Sequence, residues 1–77
     1  MPATEIAPRV TVDPDVCSGV PVIIGTRVPV SVILGHLAAG ETPERLIEEY
    51  RLKRDDVLAA LSYAAMLVSS EEVRAVK

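Results

Sequence analysis

Few side chains in this 77-residue chain could carry chemistry, and their spacing limits how they can be used. Basic residues gather at Arg51-Leu52-Lys53-Arg54, three cations in four positions, where they can meet phosphate or carboxylate or remain a solvated loop paired with Asp55 and Asp56. Arg27 stands as a single charge inside an otherwise apolar run. Its planar guanidinium fork can hydrogen-bond carbonyls at the turn around it, or reach a partner carboxylate or phosphate. Glu41, Glu44, Glu48 and Glu49 form an acidic patch. Helical spacing sets Glu44 beside Glu48 and Arg45 within reach of Glu49, so the patch reads as a solvated helix face rather than a metal site.

The remaining reactive types are single. Cys17 is the one cysteine and His36 the one histidine, which excludes an intrachain disulfide and a four-ligand Cys/His zinc cluster. Cys17 follows Asp15 and lacks the electropositive surroundings that a reactive thiolate needs, so it reads as a small turn residue. His36 flanks the apolar face of a helix and has no nucleophile placed beside it by spacing. These observations point away from an enzyme and imply no cofactor, no metal and no small-molecule substrate. The function to expect is binding.

Composition sets further bounds. A single domain of this length buries only about 60% of the surface its unfolded chain exposes, so association with a copy or a partner would help to stabilise it. Hydrophobic residues make up 49% of the chain, yet Phe and Trp are absent and the core must come from Val, Ile, Leu and Ala. The apolar stretches Val28 to Leu34 and Val57 to Val68 fall short of the about 20 residues that span a bilayer. The start of the chain has no basic region followed by an apolar run, so cytoplasmic residence without membrane contact is the expectation. A net charge of −3 argues against coating nucleic acid through bulk charge.

The elements that must position these residues follow from periodicity. Residues 1–8, with Pro2 and Pro8, read as a flexible lead-in, residues 9–70 as one helix-turn-helix-like domain, and residues 71–77 as a tail or short helix. Arg9-Val10-Thr11-Val12 and Val22-Ile23-Ile24 read as two short strands, which can pair as a hairpin or across a dimer. Val30, Ile33, Leu34 and Leu37 then share one face of a first helix that stops at Gly40. Thr42-Pro43-Glu44 opens a second helix with Leu46, Ile47 and Tyr50 inward. A third starts near Arg54, with Val57, Leu61, Ala64, Ala65 and Val68 assigned to its buried face. Ser69 to Glu72 fits a capping box, so the chain can restart there or continue the third helix. Gly25 supplies a left-handed turn, Thr26 a capping hydroxyl and Pro29 a fixed φ where extended chain becomes helix. The fold class is mainly α: three helices preceded by two short N-terminal strands, with a glycine turn between the first two helices as in helix-turn-helix proteins.

The Asp-Pro turn, Cys17-Ser18-Gly19, Pro21-Val22-Ile23, Gly25-Thr26-Arg27-Val28-Pro29-Val30, Leu37-Ala38-Ala39-Gly40 and Ala60-Leu61-Ser62-Tyr63-Ala64 together resemble the prokaryotic family catalogued as domain of unknown function 433. The resemblance covers about residues 9 to 66. It implies a homeodomain-like three-helix bundle and a role as the antitoxin of a type II toxin–antitoxin pair, whose toxin is a PIN-like ribonuclease and whose operon the protein autoregulates through operator DNA. The Lys53-Arg54-Asp55-Asp56 run departs from the family's Thr cap followed by acids. A PIN-like nuclease concentrates carboxylates around metal ions, so Arg27, Arg51, Lys53 and Arg54 are the candidate partner-binding residues, presented by a homodimer. The alternatives are a stand-alone DNA-binding regulator and a structural interaction module.

Overall fold

The computed structural model describes residues 3–71 and pairs three short strands ahead of three helices. The strands are β1 Thr4–Ala7, β2 Val10–Val12 and β3 Val22–Ile23; the helices are α1 Val30–Ala38, α2 Pro43–Tyr50 and α3 Arg54–Glu71. The sheet is antiparallel in the order β1-β2-β3. Val10 faces Ile23 and Thr11 faces Val22, so the two strands expected from the sequence pair within the chain. The third strand is an addition to that expectation. Thr4–Ala7 pair with β2 through a register shift between Glu5 and Ala7, and Pro8 marks the hairpin turn rather than the edge of a flexible lead-in.

Arg9 belongs to that turn and not to β2. Pro8 followed by a residue at φ 64° is the combination of a type II turn, which normally takes glycine in its second central position. An L-residue there costs on the order of 1 kcal/mol. Three contacts offset it. The Arg9 backbone N–H donates to Glu5 Oε2 at 3.0 Å, its carbonyl accepts from the Ile24 N–H at 2.8 Å, and its side chain reaches the start of α3.

The helix ends follow the capping signals. α1 closes with Glu41 N–H on the His36 carbonyl and Gly40 N–H on the Leu37 carbonyl, both 3.0 Å, with Gly40 at φ 95°. This pattern favours glycine at Gly40, where a Cβ would strain the backbone. Thr42 caps α2 by accepting from the Arg45 N–H at 3.2 Å, and Pro43 takes the first turn. α3 begins after Lys53, whose side chain offers no acceptor. Asp56 supplies the missing half of the cap by accepting from the Lys53 N–H at 2.9 Å. The helix then runs unbroken to Glu71, with Ser70 Oγ donating to the Met66 carbonyl, so no new helix starts at Ser69. Residues 72–77 lie outside the described residues.

Val10, Ile23, Val30, Ile33, Leu46, Leu52, Val57 and Ala60 form the core, with Leu34, Leu37, Ile47 and Tyr50 packed around it. The inward stripes of α1 and α2 are those read from spacing. The stripe of α3 is not. Val57 and Ala60 are buried, whereas Leu61, Ala65 and Val68 face outward. The reason is length: α3 has 18 residues and spans about 27 Å, against nine residues in α1 and eight in α2. The short helices cover only the first half of the long one.

Asp56 is 5% exposed and joins the hairpin to α3, its Oδ1 taking Arg9 Nε at 2.8 Å and Nη2 at 2.7 Å. Asp56→Ala is expected to lower stability by about 2–3 kcal/mol, since it removes a buried charge partner and a helix cap together. Urea unfolding monitored by circular dichroism measures this loss.

Candidate protein-interaction surface

Arg27 is set by the loop between β3 and α1. Gly25 at φ 73° turns the chain. The Thr26 hydroxyl donates to the Ile23 carbonyl at 2.7 Å and accepts from the Val28 N–H at 3.0 Å, locking the loop from inside. Ile23 N–H bonds to the Val28 carbonyl and Val30 N–H to the Pro21 carbonyl, so the segment after Arg27 lies against β3. From outside, Cys17 Sγ donates to the Arg27 carbonyl at 3.3 Å. Cys17 sits in a turn where three successive residues, Cys17, Ser18 and Gly19, have positive φ. Its role is to hold this loop, a use that the turn reading of the sequence did not reveal.

The backbone around Arg27 is therefore fixed, while its side chain is exposed and has no hydrogen bond or ion pair among the described residues. Of the two uses open to it in the sequence, bonding to turn carbonyls is not the one adopted. The Thr26 hydroxyl does that work instead. Arg27 lines a groove together with Thr11, Asp13, Val16 and Val22.

The basic cluster divides. Arg54 Nη2 bonds Glu44 Oε2 at 2.7 Å, tying the first turn of α3 to the first turn of α2. Arg54 is thus engaged, and the pairing of this cluster with Asp55 and Asp56 gives way to Glu44 and Arg9. Arg51 and Lys53 stay exposed without a side-chain partner among the described residues, on either side of buried Leu52. Arg51 is at φ 57°, where the chain leaves α2. None of these three residues lines the Arg27 groove.

The acids also settle differently from helical spacing. Arg45 pairs with Glu41 at 3.5 Å, not with Glu49. Glu41 Oε2 also meets His36 Nδ1 at 2.8 Å, while His36 Nε2 lies 3.1 Å from the Tyr50 hydroxyl. His36 therefore bridges α1, the connecting loop and the end of α2. Sequence spacing could not show a contact that depends on the angle between two helices. The four glutamates converge on no common point, and no group of three or more potential metal ligands occurs among the described residues.

A second surface is apolar. Val20, Pro21, Val30, Leu34, Tyr63, Ala64, Leu67 and Val68 line a groove of about 480 Å³ between the loop before β3, α1 and the free half of α3, with Ser31 at its edge. The volume matches small-molecule sites, but such sites converge several polar groups on their ligand. This lining has only two hydroxyls. Its chemistry suits an apolar segment of protein.

The family model for proteins of unknown function (DUF433) matches residues 10–64. The uncharacterized protein y4eO of Sinorhizobium fredii (strain NBRC 101917 / NGR234) is 41% identical over 56 residues, which is 71% of this chain and 25% of that protein. The crystal structure of Rv2018 from Mycobacterium tuberculosis superposes with a TM-score of 0.62 at 36% identity, covering 68% of this chain and 24% of that one. The chain spans about a quarter of the length of these two relatives.

The Arg54 guanidinium, through its hydrogen bond, holds the Glu44 carboxyl below its ordinary range. A depressed carboxyl pKa adds stability above the unfolded-state pKa and loses it as pH falls through the folded-state value. At this fully exposed pair the effect on folding is small and screened by salt. Arg54→Ala is expected to raise the Glu44 titration toward the ordinary carboxylate range, read by carboxyl-carbon NMR, while the melting temperature barely moves.

Proposed function

The chain belongs to the DUF433 family, and we propose that it acts as an antitoxin-like, non-catalytic binding protein that captures and neutralises a PIN-like ribonuclease through Arg27. The observation that supports this reading is a cation without a partner among the described residues, presented from a locked loop. Free arginines on mobile loops are ordinary. Here the Thr26 hydroxyl, the Cys17 thiol and the pairing with β3 hold the backbone on both sides of the side chain. Ordering such a residue on binding costs little beyond its own rotamers, so most of a charge-assisted, bidentate contact with carboxylate is retained as affinity. A nuclease that clusters acidic residues around metal ions offers that target. Arg51 and Lys53 add positive charge on a separate part of the surface, where they aid encounter more than final affinity.

We read α1, α2 and α3 as a homeodomain-like helix-turn-helix arrangement used for protein contact. Arg54 is the one basic residue in α3, and it is engaged by Glu44. The second helix exposes Glu44, Glu48 and Glu49. The whole sequence contains neither Asn nor Gln, the side chains that pair bidentately with adenine. Any contact with operator DNA then rests on phosphates met by Arg51 and Lys53, and autoregulation falls to a complex with the partner rather than to this chain alone.

Co-expression with the product of the adjacent reading frame tests the reading. Co-purification, and suppression of that product's ribonuclease activity by the wild-type chain, are the expected results. Arg27→Ala should weaken the complex by about 10- to 100-fold, the range of a truncated charged hot spot, without lowering the melting temperature. Full neutralisation by Arg27→Ala removes Arg27 from the mechanism. Steeply salt-dependent, sequence-selective DNA binding by the chain alone, with no complex, supports a regulator instead.

A further inference from the structure

Successive side chains of a strand point to opposite faces. The facing pair Val10 and Ile23 goes into the core, and the next facing pair, Thr11 and Val22, lines the groove of about 440 Å³ that holds Arg27. Thr11 is 5% exposed, yet its hydroxyl has no hydrogen-bond partner among the described residues. A buried hydroxyl left in this way destabilises a fold, and valine would fill the same space without that cost. No side-chain oxygen or nitrogen among the described residues is both sealed from solvent and unpaired, so the Thr11 hydroxyl opens onto the groove. The groove therefore holds a polar atom whose bonding capacity the fold does not use.

Two charges of opposite sign flank it. Asp13 follows the end of β2, beyond Thr11. At the other end of the strand pair the Ile24 N–H bonds the Arg9 carbonyl, which sets the Gly25-Thr26-Arg27 turn beside the start of β2. Asp13 Oδ1 accepts from the Asp15 N–H at 2.9 Å, and Oδ2 has no partner among the described residues. Although Asp13 and Arg27 line the same groove, no ion pair joins them. The two charges stand apart, with Thr11 and Val22 on the strands between them. This arrangement selects a ligand by charge. A simple anion that meets Arg27 also meets the like charge of Asp13, and a simple cation has the reverse difficulty. A molecule with a carboxylate and an ammonium on one short chain satisfies both. Val16 and Val22 offer apolar contact to an aliphatic side chain. The volume suits a small molecule and, unlike the groove beside α3, this one converges polar groups on its contents.

We propose that this groove binds a small zwitterion, an α-amino acid with an aliphatic side chain, its carboxylate on Arg27, its ammonium on Asp13 and the Thr11 hydroxyl as the third polar contact. This function goes beyond the antitoxin reading and stands without it. Because Arg27 serves both, a bound zwitterion competes with a protein partner for that side chain.

Titration of the isotopically labelled full chain with L-valine up to about 50 mM, at constant ionic strength and followed by amide NMR, tests the proposal. Saturating shifts centred on Thr11, Val22 and Arg27 are expected, with a dissociation constant on the order of 1–10 mM, as suits a ligand of so few atoms. Valinamide lacks the carboxylate and N-acetylvaline the ammonium, and each should bind about tenfold more weakly. Asp13→Asn keeps an acceptor for the Asp15 N–H but loses the charge, and should weaken valine by a similar factor. Thr11→Val should weaken valine about tenfold and raise the melting temperature of the free chain, because it removes an unpaired buried hydroxyl. A hydroxyl with a structural role alone would instead lower the melting temperature when removed and leave binding unchanged. No saturable shift with valine, equal binding of the three ligands, or undiminished binding by Thr11→Val overturns the proposal.

Discussion

The structure depends on one buried carboxylate. Asp56 stands in the first turn of α3, and its two oxygens face in two directions, one capping the helix at Lys53 and the other holding the guanidinium of Arg9. Without Arg9 the carboxylate would be a buried charge with only a backbone partner. Without Asp56 the left-handed conformation of Arg9 would lose one of the contacts that offset its strain. The hairpin and the longest helix are thus joined by a contact between residues 47 positions apart. A domain this small buries a limited share of its surface, so a contact that fixes how the hairpin sits on α3 matters more than it would in a larger core.

From that clamp the two surfaces follow. Once the hairpin is docked, β3 lies against the helices and the Gly25-Thr26-Arg27 turn projects from its far end. The Thr26 hydroxyl satisfies one carbonyl and one N–H within the loop, and the guanidinium of Arg27 has no partner among the described residues. On the other side, α1 and α2 end before α3 does. Their length sets how much of α3 is covered, and the remainder presents an apolar, uncharged stripe. One surface carries Arg27 and Asp13 on a hydrogen-bonded loop and turn, and the other is apolar and uncharged.

Much of this is legible in the sequence, and each miss has a cause. Thr42-Pro43, Gly40, Gly25 and Pro29 act locally, through φ values and hydrogen bonds within a few residues, and their roles read off directly. Pro8 misleads because a proline can mark a tight turn as well as a loose terminus. Spacing draws the inward face of α3 too wide because its apolar residues fill two adjacent stripes, and periodicity alone cannot say which of them a neighbour covers. The pairing of Arg45 with Glu41, of Arg54 with Glu44 and of Arg9 with Asp56 likewise turns on which charges packing brings together.

The sequence by itself determined the element types, the apolar makeup of the core, the family and the absence of a cysteine or histidine pair. These depend on residue type, spacing and local backbone preference. Tertiary structure decided that Arg27 is unpaired among the described residues while Arg54 is engaged, that Cys17 braces a loop and His36 links two helices, and that the other described elements leave the second half of α3 exposed. Those facts depend on distances between elements far apart in the chain, and the sequence records such distances only through the packing that results.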